Sequence, residues 1–198
     1  MSGPEKALEP LKVGHRDLPR EEDLIHQIAN GDSQALDELY HQYGKMILAH
    51  ALFITSELSI SEEVLQDTML AVWRGAASFR GDASVRSWVI SIARRQARDR
   101  IRRHRLKVVD DTNLLVQPSN DPSPELVALE RADVKEVAEA IQLLSSSHKE
   151  VIGLIFGTGL SLSEVANVLE IPVGTVKSRL FSARIALAGA LSKKGVEL

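Results

Sequence analysis

Hydrophobic residues recur at every third or fourth position through most of the chain, which is the spacing of one face of an α-helix. Between residues 21 and 107 this pattern predicts four helices. The first ends at the breaker Asn30-Gly31-Asp32, the third covers 61–76 with Ser61 as its N-cap, and the fourth begins near Ser84. No segment alternates like a strand, so the sequence predicts an all-α fold.

A change of composition divides the chain in two. Residues 108–124 are acidic and contain three prolines, which predicts a linker instead of a helix. Helical patterns resume over 125–194, with one helix predicted at 125–143. Residues 1–20 show no apolar period and are predicted to form a flexible leader. We therefore expect two small helical domains, 21–107 and 125–194, joined by a flexible acidic linker.

The stretch LSLSEVANVLEIPVGTVKSRLFSAR, residues 160–184, predicts two short helices joined by a tight turn. Ser161 and Glu164 have the spacing of a capping box, and Pro172 cannot lie inside a helix, so the first helix ends before it. A second helix is predicted after Gly174, and its apolar stripe is Val176, Leu180, Ala183 and Leu187. This arrangement is typical of a helix-turn-helix that binds DNA. Similar helix pairs occur in proteins that never contact DNA, so the pattern alone leaves both interpretations open.

The formal net charge is −3, but charge is unevenly distributed along the chain. Residues 21–78 carry ten acidic side chains and two basic ones, whereas residues 79–107 carry ten basic and two acidic ones. Residues 172–194 carry five basic side chains and no acidic one. Because contact with phosphate depends on local charge, the two basic clusters predict two nucleic-acid-binding surfaces.

Composition and spacing exclude several kinds of protein. The chain has no cysteine, which rules out disulfides and thiolate metal sites and fits a cytoplasmic location. The longest apolar run, 46–54, is too short to span a bilayer, and no secretory signal is predicted. The six histidines lack metal-ligand spacing, and the serines at 145–147 indicate a helix cap instead of a nucleophile. No catalytic constellation, metal or cofactor is therefore expected.

The fourth predicted helix carries nine basic residues between positions 86 and 107, opposed within it only by Asp99. We expect anionic phosphate to relieve the repulsion among them. Phe79 and Trp88 stand beside this run, and aromatic side chains next to basic ones suit the stacking of unpaired bases. For Trp88 taken alone, a place in the core is the favoured interpretation.

Two long segments resemble bacterial sigma factors of the extracytoplasmic-function (ECF) type. SEEVLQDTMLAVWRGAASFRGDASVRSWVISIARRQARDRIRR is similar to their first globular domain, and HKEVIGLIFGTGLSLSEVANVLEIPVGTVKSRLFSAR to their second. The resemblance covers about 21–107 and 125–194, in the family's order. It implies an alternative sigma factor that is not an enzyme, that binds core RNA polymerase and promoter DNA, and that serves a stress or envelope regulon.

The resemblance also implies roles for individual residues. The third helix would contact core RNA polymerase through Glu63, Gln66, Asp67, Trp73 and Arg74. The following loop and the basic helix would capture the melted −10 element through Phe79, Arg80, Gly81, Asp82, Ser84, Trp88, Arg94, Arg95, Arg98 and Arg102. The recognition helix would contact phosphates of the duplex −35 element through Thr175, Lys177, Arg179 and Arg184. It would read base edges through Ser178, Phe181 and Ser182, with Arg179 suited to either role.

Three positions depart from the family pattern. Arg95 stands where many relatives carry asparagine, which implies a different −10 base preference. Glu170 replaces the usual glycine at the corner of the helix-turn-helix, which implies a somewhat different turn. Ser182 stands where arginine is frequent, which puts one −35 contact in doubt.

Two further expectations concern partners. The resemblance implies that an anti-sigma factor, wedged between the two domains, holds the protein inactive. The acidic linker would run toward the active-site cleft of polymerase. The alternative class is a stand-alone helix-turn-helix repressor or activator that binds duplex DNA as a dimer, although this would leave the basic helix and the acidic third helix without a purpose.

Overall fold

Every regular element that the structure describes is a helix. The structure is a computed structural model that describes residues 21–110 and 137–192, apart from the side chains of 104–110. The predicted leader at 1–20, the linker beyond Asp110 and most of the predicted helix 125–143 lie outside these residues, as do the side chains of Arg105 and Lys107. The predicted all-α fold is confirmed.

The N-terminal domain consists of α1 (Glu21–Ala29), α2 (Ser33–Thr55), α3 (Leu58–Gly75) and α4 (Val85–Asp110). The predicted break between the first two helices is confirmed, because the Asp32 carboxylate caps α2 by accepting from the backbone of Gln34 at 2.8 Å. A 3₁₀ turn at Ala76–Ser78 ends α3. The first helix packs against α2, which itself packs against both α3 and α4.

The predicted start of α3 at Ser61 is wrong. The helix begins at Leu58, and Ser61 is buried inside its first turns. Its hydroxyl donates to the carbonyl of Glu57 at 2.6 Å, one helical turn back, and does not cap the helix. Ser56 ends α2 in the left-handed conformation with φ of 59°, so only a short connection separates the two helices.

In the described residues the C-terminal domain begins with a helix, α5, at 137–142. It continues through α6 (Ser146–Ile152), a π-helical turn at Gly153–Gly157, α7 (Leu162–Leu169) and α8 (Val173–Ser192). The predicted cap ahead of α6 is Ser145, whose hydroxyl accepts from the backbone of His148.

The helix-turn-helix is made of α7 and α8. Its capping box is confirmed, because Ser161 and Glu164 each accept a hydrogen bond from the other's backbone, at 3.3 and 2.9 Å. Glu170 ends α7 with φ of 56°, the left-handed conformation that glycine adopts readily, so this turn is made at a steric cost. The second helix starts at Val173, directly after Pro172, and not after Gly174 as the sequence predicted.

The two domains share one continuous hydrophobic core. Ile47 and Ala93 of the first domain and Val151, Leu154 and Val165 of the second are fully buried in it. The contact runs from α4 to α7 and from α2 to the π-helical turn. The first domain's basic helix therefore lies against the helix-turn-helix domain, which places the two predicted nucleic-acid surfaces side by side.

Candidate nucleic-acid interface

The loop before α4 is built around an aromatic pair. The rings of Phe79 and Trp88 lie 5.1 Å apart, tilted by 51°, and both are half-buried against the core. Trp88 therefore packs against the core, as the sequence predicted, and part of its side chain stays accessible. Gly81 has a positive φ of 74° at the exposed tip of the loop, where Arg80 pairs with Asp82 at 3.1 Å. The loop presents aromatic and basic groups together, as capture of an unpaired base requires.

Ser84 connects this loop to the basic helix. Its hydroxyl accepts from the backbone of Ser87 at 3.2 Å, so it caps α4 and confirms the predicted start of that helix. The same hydroxyl donates to a carboxylate oxygen of Glu164, in the capping box of α7. Burial acts to raise the pKa of Glu164, but hydrogen bonds from Ser84 and Ser161 outweigh it and hold that pKa below its ordinary value. Glu164 is therefore a fixed negative charge beside the loop.

The arginines predicted to contact the −10 element follow one side of α4, since Arg94, Arg98 and Arg102 are spaced at four residues. Arg95 is exposed beside them. Within the stretch 86–107 only Asp99 opposes this run, but Glu150 in α6 opposes it from the second domain. Arg94 Nε lies 2.6 Å from Glu150 Oε1, with both side chains about 15% exposed. Because the two residues are 56 positions apart, no local pattern predicts this pair.

Next to this ion pair the two domains enclose a polar cleft of about 290 Å³. Its basic wall is formed by the exposed arginines of α4, and its opposite wall by Asn167 and Glu170 at the end of α7. Arg94 Nη1 also donates to the carbonyl of Val168 at 3.4 Å. The −10 surface predicted from the sequence is therefore covered in part by the helix-turn-helix domain.

The recognition helix α8 exposes most of the residues predicted to contact the −35 element. Val176 and Ala183 are fully buried on its inner side, as predicted, and Leu180 is half-buried. The predicted contacts that are exposed are Lys177, Ser178, Phe181, Ser182 and Arg184, and those that are half-buried are Thr175 and Arg179.

An apolar groove of about 580 Å³ runs along the exposed side of α8, with Lys177 and Arg184 at its edges. Phe181 and Ile185 line it and are 67% and 58% exposed. Ile185 was not among the predicted contacts, although its position four residues after Phe181 places it on the same side of the helix. Apolar side chains between cations suit thymine methyl groups flanked by phosphates.

On α3 the predicted polymerase-binding residues form an exposed stripe. Gln66 and Arg74 are exposed, Trp73 is 36% exposed, and Leu70 between them is 50% exposed. Leu70 was not among the predicted contacts, although its spacing from Gln66 and Trp73 places it on their face. An exposed apolar patch rimmed by polar groups is typical of a protein interface.

The acidic end of this stripe is tied to α4. Glu63 and Asp67 both accept hydrogen bonds from Arg100, and Arg100 Nη2 lies 2.6 Å from Asp67 Oδ2. Arg100 thus belongs to the α3 face and not to the −10 surface. In the parts of the chain that the structure describes, no acidic and histidine residues cluster as metal ligands, and no helix is long and apolar enough to cross a membrane.

Comparisons with known proteins match both halves of this arrangement. The family model for Sigma-70 region 2 matches residues 39–107, and that for Sigma-70, region 4 matches residues 140–188. The ECF RNA polymerase sigma factor SigL of Mycobacterium tuberculosis is 31% identical over 172 residues, covering 85% of this chain and 95% of SigL. RNA polymerase sigma-H factor of Pseudomonas aeruginosa is 29% identical over 185 residues, covering 88% of this chain and 96% of that protein.

Solved structures share the fold. The structure of CnrH in complex with the cytosolic domain of CnrY matches with a TM-score of 0.66 at 24% identity, covering 87% of this chain and 97% of CnrH. The structure of the sigma factor RpoE in complex with the anti-sigma factor NepR from Bartonella quintana matches with a TM-score of 0.65 at 23% identity. The match covers 78% of this chain and 97% of the chain it is compared with.

A basic helix beside an aromatic loop, joined to a helix-turn-helix, defines a promoter-recognition subunit of the sigma-70 class. Within that class, this chain belongs to the ECF RNA polymerase sigma factors.

Proposed function

We propose that this ECF sigma factor divides promoter recognition between the surfaces described above. The loop 79–84 and the exposed arginines of α4 capture the melted −10 element, and the outer side of α8 reads the duplex −35 element. The observation that carries this proposal is the placement of Lys177, Phe181 and Arg184 on one exposed side of α8. Such a surface offers both phosphate contacts and an apolar base contact.

The exposed stripe of α3 is proposed as the surface for core RNA polymerase. Leu70 and Trp73 supply its apolar centre, and Gln66 and Arg74 supply its polar rim. Polymerase provides the chemistry, so the chain itself is proposed to be a cytoplasmic initiation factor without enzymatic activity. Its predicted domain bounds, 21–107 and 125–194, contain the segments matched by the two family models.

Control by an anti-sigma factor is part of the proposal. One structural relative, RpoE, was solved with the anti-sigma factor NepR, and another, CnrH, was solved with the cytosolic domain of CnrY. An inhibitor wedged between the domains of this chain would have to break the contact of Arg94 with Glu150. Affinity purification of the tagged protein from unstressed cells tests the idea, and recovery of core polymerase without any inhibitor would contradict it.

Run-off transcription with core RNA polymerase tests the assignment of the surfaces. A screen of genomic fragments with mapped start sites supplies the promoter. Trp73→Ala should reduce binding to core polymerase, whereas Arg184→Ala should leave core binding intact and reduce transcription from that promoter. Lys45→Ala, which removes an exposed cation from α2, is the matched control. Tight binding of a palindromic duplex by the protein alone, with no dependence on core polymerase, would support the repressor alternative instead.

A further inference from the structure

The polar cleft between α4 and the end of α7 carries opposite charges on its two walls. Arg95 and Arg98 are exposed on the α4 wall, and Asn167 and Glu170 are exposed on the wall that faces it. The cleft has a volume of about 290 Å³, which is at the lower end of the range for small-molecule sites. A ligand that fills it is therefore a small molecule of about the size of a single nucleotide.

The cations of the α4 wall are incompletely neutralised. Glu150 lies 2.6 Å from Arg94 Nε, but it is 3.7 Å from the nearest nitrogen of Arg98. Arg95 makes no ion pair with any residue that the structure describes. Guanidinium groups bind phosphate through charge-assisted hydrogen bonds, so this wall can accept one further anionic group.

The opposite wall keeps a carboxylate without a protein partner. Asp99, which also lines the cleft, lies 3.4 Å from Arg102, whereas the side chain of Glu170 makes no ion pair or hydrogen bond within the described part of the chain. Glu170 also holds the left-handed conformation, with φ of 56°, which glycine would adopt without strain. Strained positions of this kind are concentrated at functional sites. A carboxylate that is kept at a steric cost and has no protein partner indicates that its partner is a ligand.

The two walls together select a ligand with an anion at one end and hydrogen-bond donors at the other. Inorganic phosphate meets only the first condition and is repelled by Glu170. An asparagine amide pairs with N6 and N7 of adenine, and a glutamate accepts from an exocyclic amino group. We propose that the cleft binds a free adenine nucleotide, of which AMP is the simplest, with its phosphate on Arg95 and Arg98. The adenine base then pairs with Asn167 and Glu170.

An adenine nucleotide in this cleft would compete with promoter DNA. Arg95 and Arg98 are also proposed contacts of the melted −10 element, and the phosphate of AMP and a DNA phosphate use the same guanidinium donors. Bound nucleotide would therefore reduce −10 binding in proportion to its occupancy of the cleft. This consequence, unlike the binding site itself, rests on the proposed role of α4.

Isothermal titration calorimetry of the full chain with AMP, UMP and inorganic phosphate tests the base-binding wall. AMP should bind about tenfold more tightly than UMP, whose base has no amino group, and more tightly than phosphate. Asn167→Ala and Glu170→Gly should each reduce the ratio of the AMP and UMP affinities. Because both nucleotides carry the same phosphate, this ratio does not depend on the net charge of the variant. Glu170→Gly relieves the backbone strain, so its loss of preference cannot come from a misfolded chain.

A second pair of variants tests the phosphate-binding wall. Arg95→Ala should weaken AMP and UMP alike, by about tenfold, and leave their ratio unchanged, because it removes a charge-assisted hydrogen bond that both nucleotides make. Arg103→Ala removes an exposed cation of α4 that does not line the cleft, and it is the matched control that should change neither affinity.

Equal affinities for AMP and UMP, or no saturable binding of AMP, would overturn the proposal. Equal losses with Arg95→Ala and Arg103→Ala would also overturn it, since the effect would then be one of net charge. If single-stranded oligo(dA) binds with a dependence on Asn167 while free AMP does not bind, the cleft holds a promoter nucleotide and the proposed free ligand is wrong.

Run-off transcription with core polymerase in the absence of AMP separates this inference from the proposed function. Normal transcription by a chain that does not bind AMP would refute the ligand and leave the function intact. Binding of AMP with the expected variant pattern, by a chain that supports no transcription, would refute the function and leave the ligand site intact.

Discussion

Arg100 of α4 binds Asp67 of α3 through two nitrogens, with Nε and Nη2 at 3.1 and 2.6 Å from the same carboxylate oxygen. The third nitrogen donates to Glu63. This fork joins the basic helix to the acidic end of the proposed polymerase-binding stripe. It also explains why one arginine of a helix rich in cations points away from the DNA surface.

Replacing Arg100 should destabilise the first domain. Arg100→Ala removes charge-assisted hydrogen bonds between groups about 30% exposed, so we expect the free energy of unfolding to fall by about 1 kcal/mol. Arg100→Lys should recover only part of this, because an ammonium cannot reproduce the planar fork. Urea denaturation measures the difference. Arg103→Ala, at an exposed position on the same helix, is the control, and an equal loss there would contradict the specific role of Arg100.

The corner of the helix-turn-helix should be improved by glycine. Glu170 holds the left-handed conformation, with φ and ψ of 56° and 43°, which costs an L-residue about 1–2 kcal/mol. Glycine removes this cost but adds entropy to the unfolded chain, so Glu170→Gly should raise the free energy of unfolding by about 0.5–1 kcal/mol. Glu170→Ala keeps the strain and serves as the control in thermal or urea unfolding. A gain with alanine equal to that with glycine would show that removal of the charge is responsible.

Local bonding explains which features could be predicted from the sequence. The caps at Asp32, Ser145 and Ser161 involve partners within three residues, so their spacing alone identifies them. Ser61 also looks like a helix cap in the sequence. Its hydroxyl instead donates back to the carbonyl of Glu57, because α3 begins before Ser61. A serine near a helix start is compatible with both geometries, and only the position of the preceding turn decides between them.

The domain contact could not be predicted because its partners are distant in sequence. Arg94 and Glu150 are 56 residues apart, and Ser84 and Glu164 are 80 residues apart. Periodicity shows which side of each helix is apolar, but it does not show which acidic residue of one domain meets which arginine of the other. The start of α4 near Ser84 and the capping box of α7 were predicted correctly, whereas their electrostatic partners depend on tertiary packing.

Buried His50 predicts a loss of stability in mild acid. Burial lowers its pKa from the ordinary 6.5 to about 4, with Glu150 opposing and Arg94 adding to this effect. Above pH 6.5 the residue is neutral in both states and contributes no pH dependence. Between pH 6.5 and pH 4 the unfolded chain binds a proton at His50 more readily than the folded chain does. The free energy of unfolding should therefore fall as the pH is lowered through this range, by up to about 3 kcal/mol from this residue.

Urea denaturation at several pH values measures this slope. His50→Leu should flatten it and cost little at neutral pH, because neither ring nitrogen of His50 has a hydrogen-bond partner within the described residues. His26→Leu removes an exposed imidazole and is the matched control. A slope in the His50→Leu variant as steep as in the wild type would show that other groups cause the acid sensitivity.

The two kinds of side chain on α8 should differ in how they affect −35 recognition. Lys177→Ala should weaken binding of the polymerase complex to all −35 sequences alike, because a cation that contacts a DNA phosphate does not distinguish between bases. The salt dependence of the binding constant should fall by the amount that corresponds to about one phosphate contact. Phe181→Ala should leave the salt dependence unchanged and relax the preference at one position by about 1–3 kcal/mol, since its exposed ring is uncharged and suits contact with a base edge or methyl group. Competition binding with single-base −35 variants at several salt concentrations separates the two. Leu143→Ala removes an apolar side chain that is 72% exposed outside α8, and it should change neither quantity. If Phe181→Ala instead weakened every sequence equally, the apolar groove of α8 would be a general docking surface and the base-reading role assigned to Phe181 would be lost.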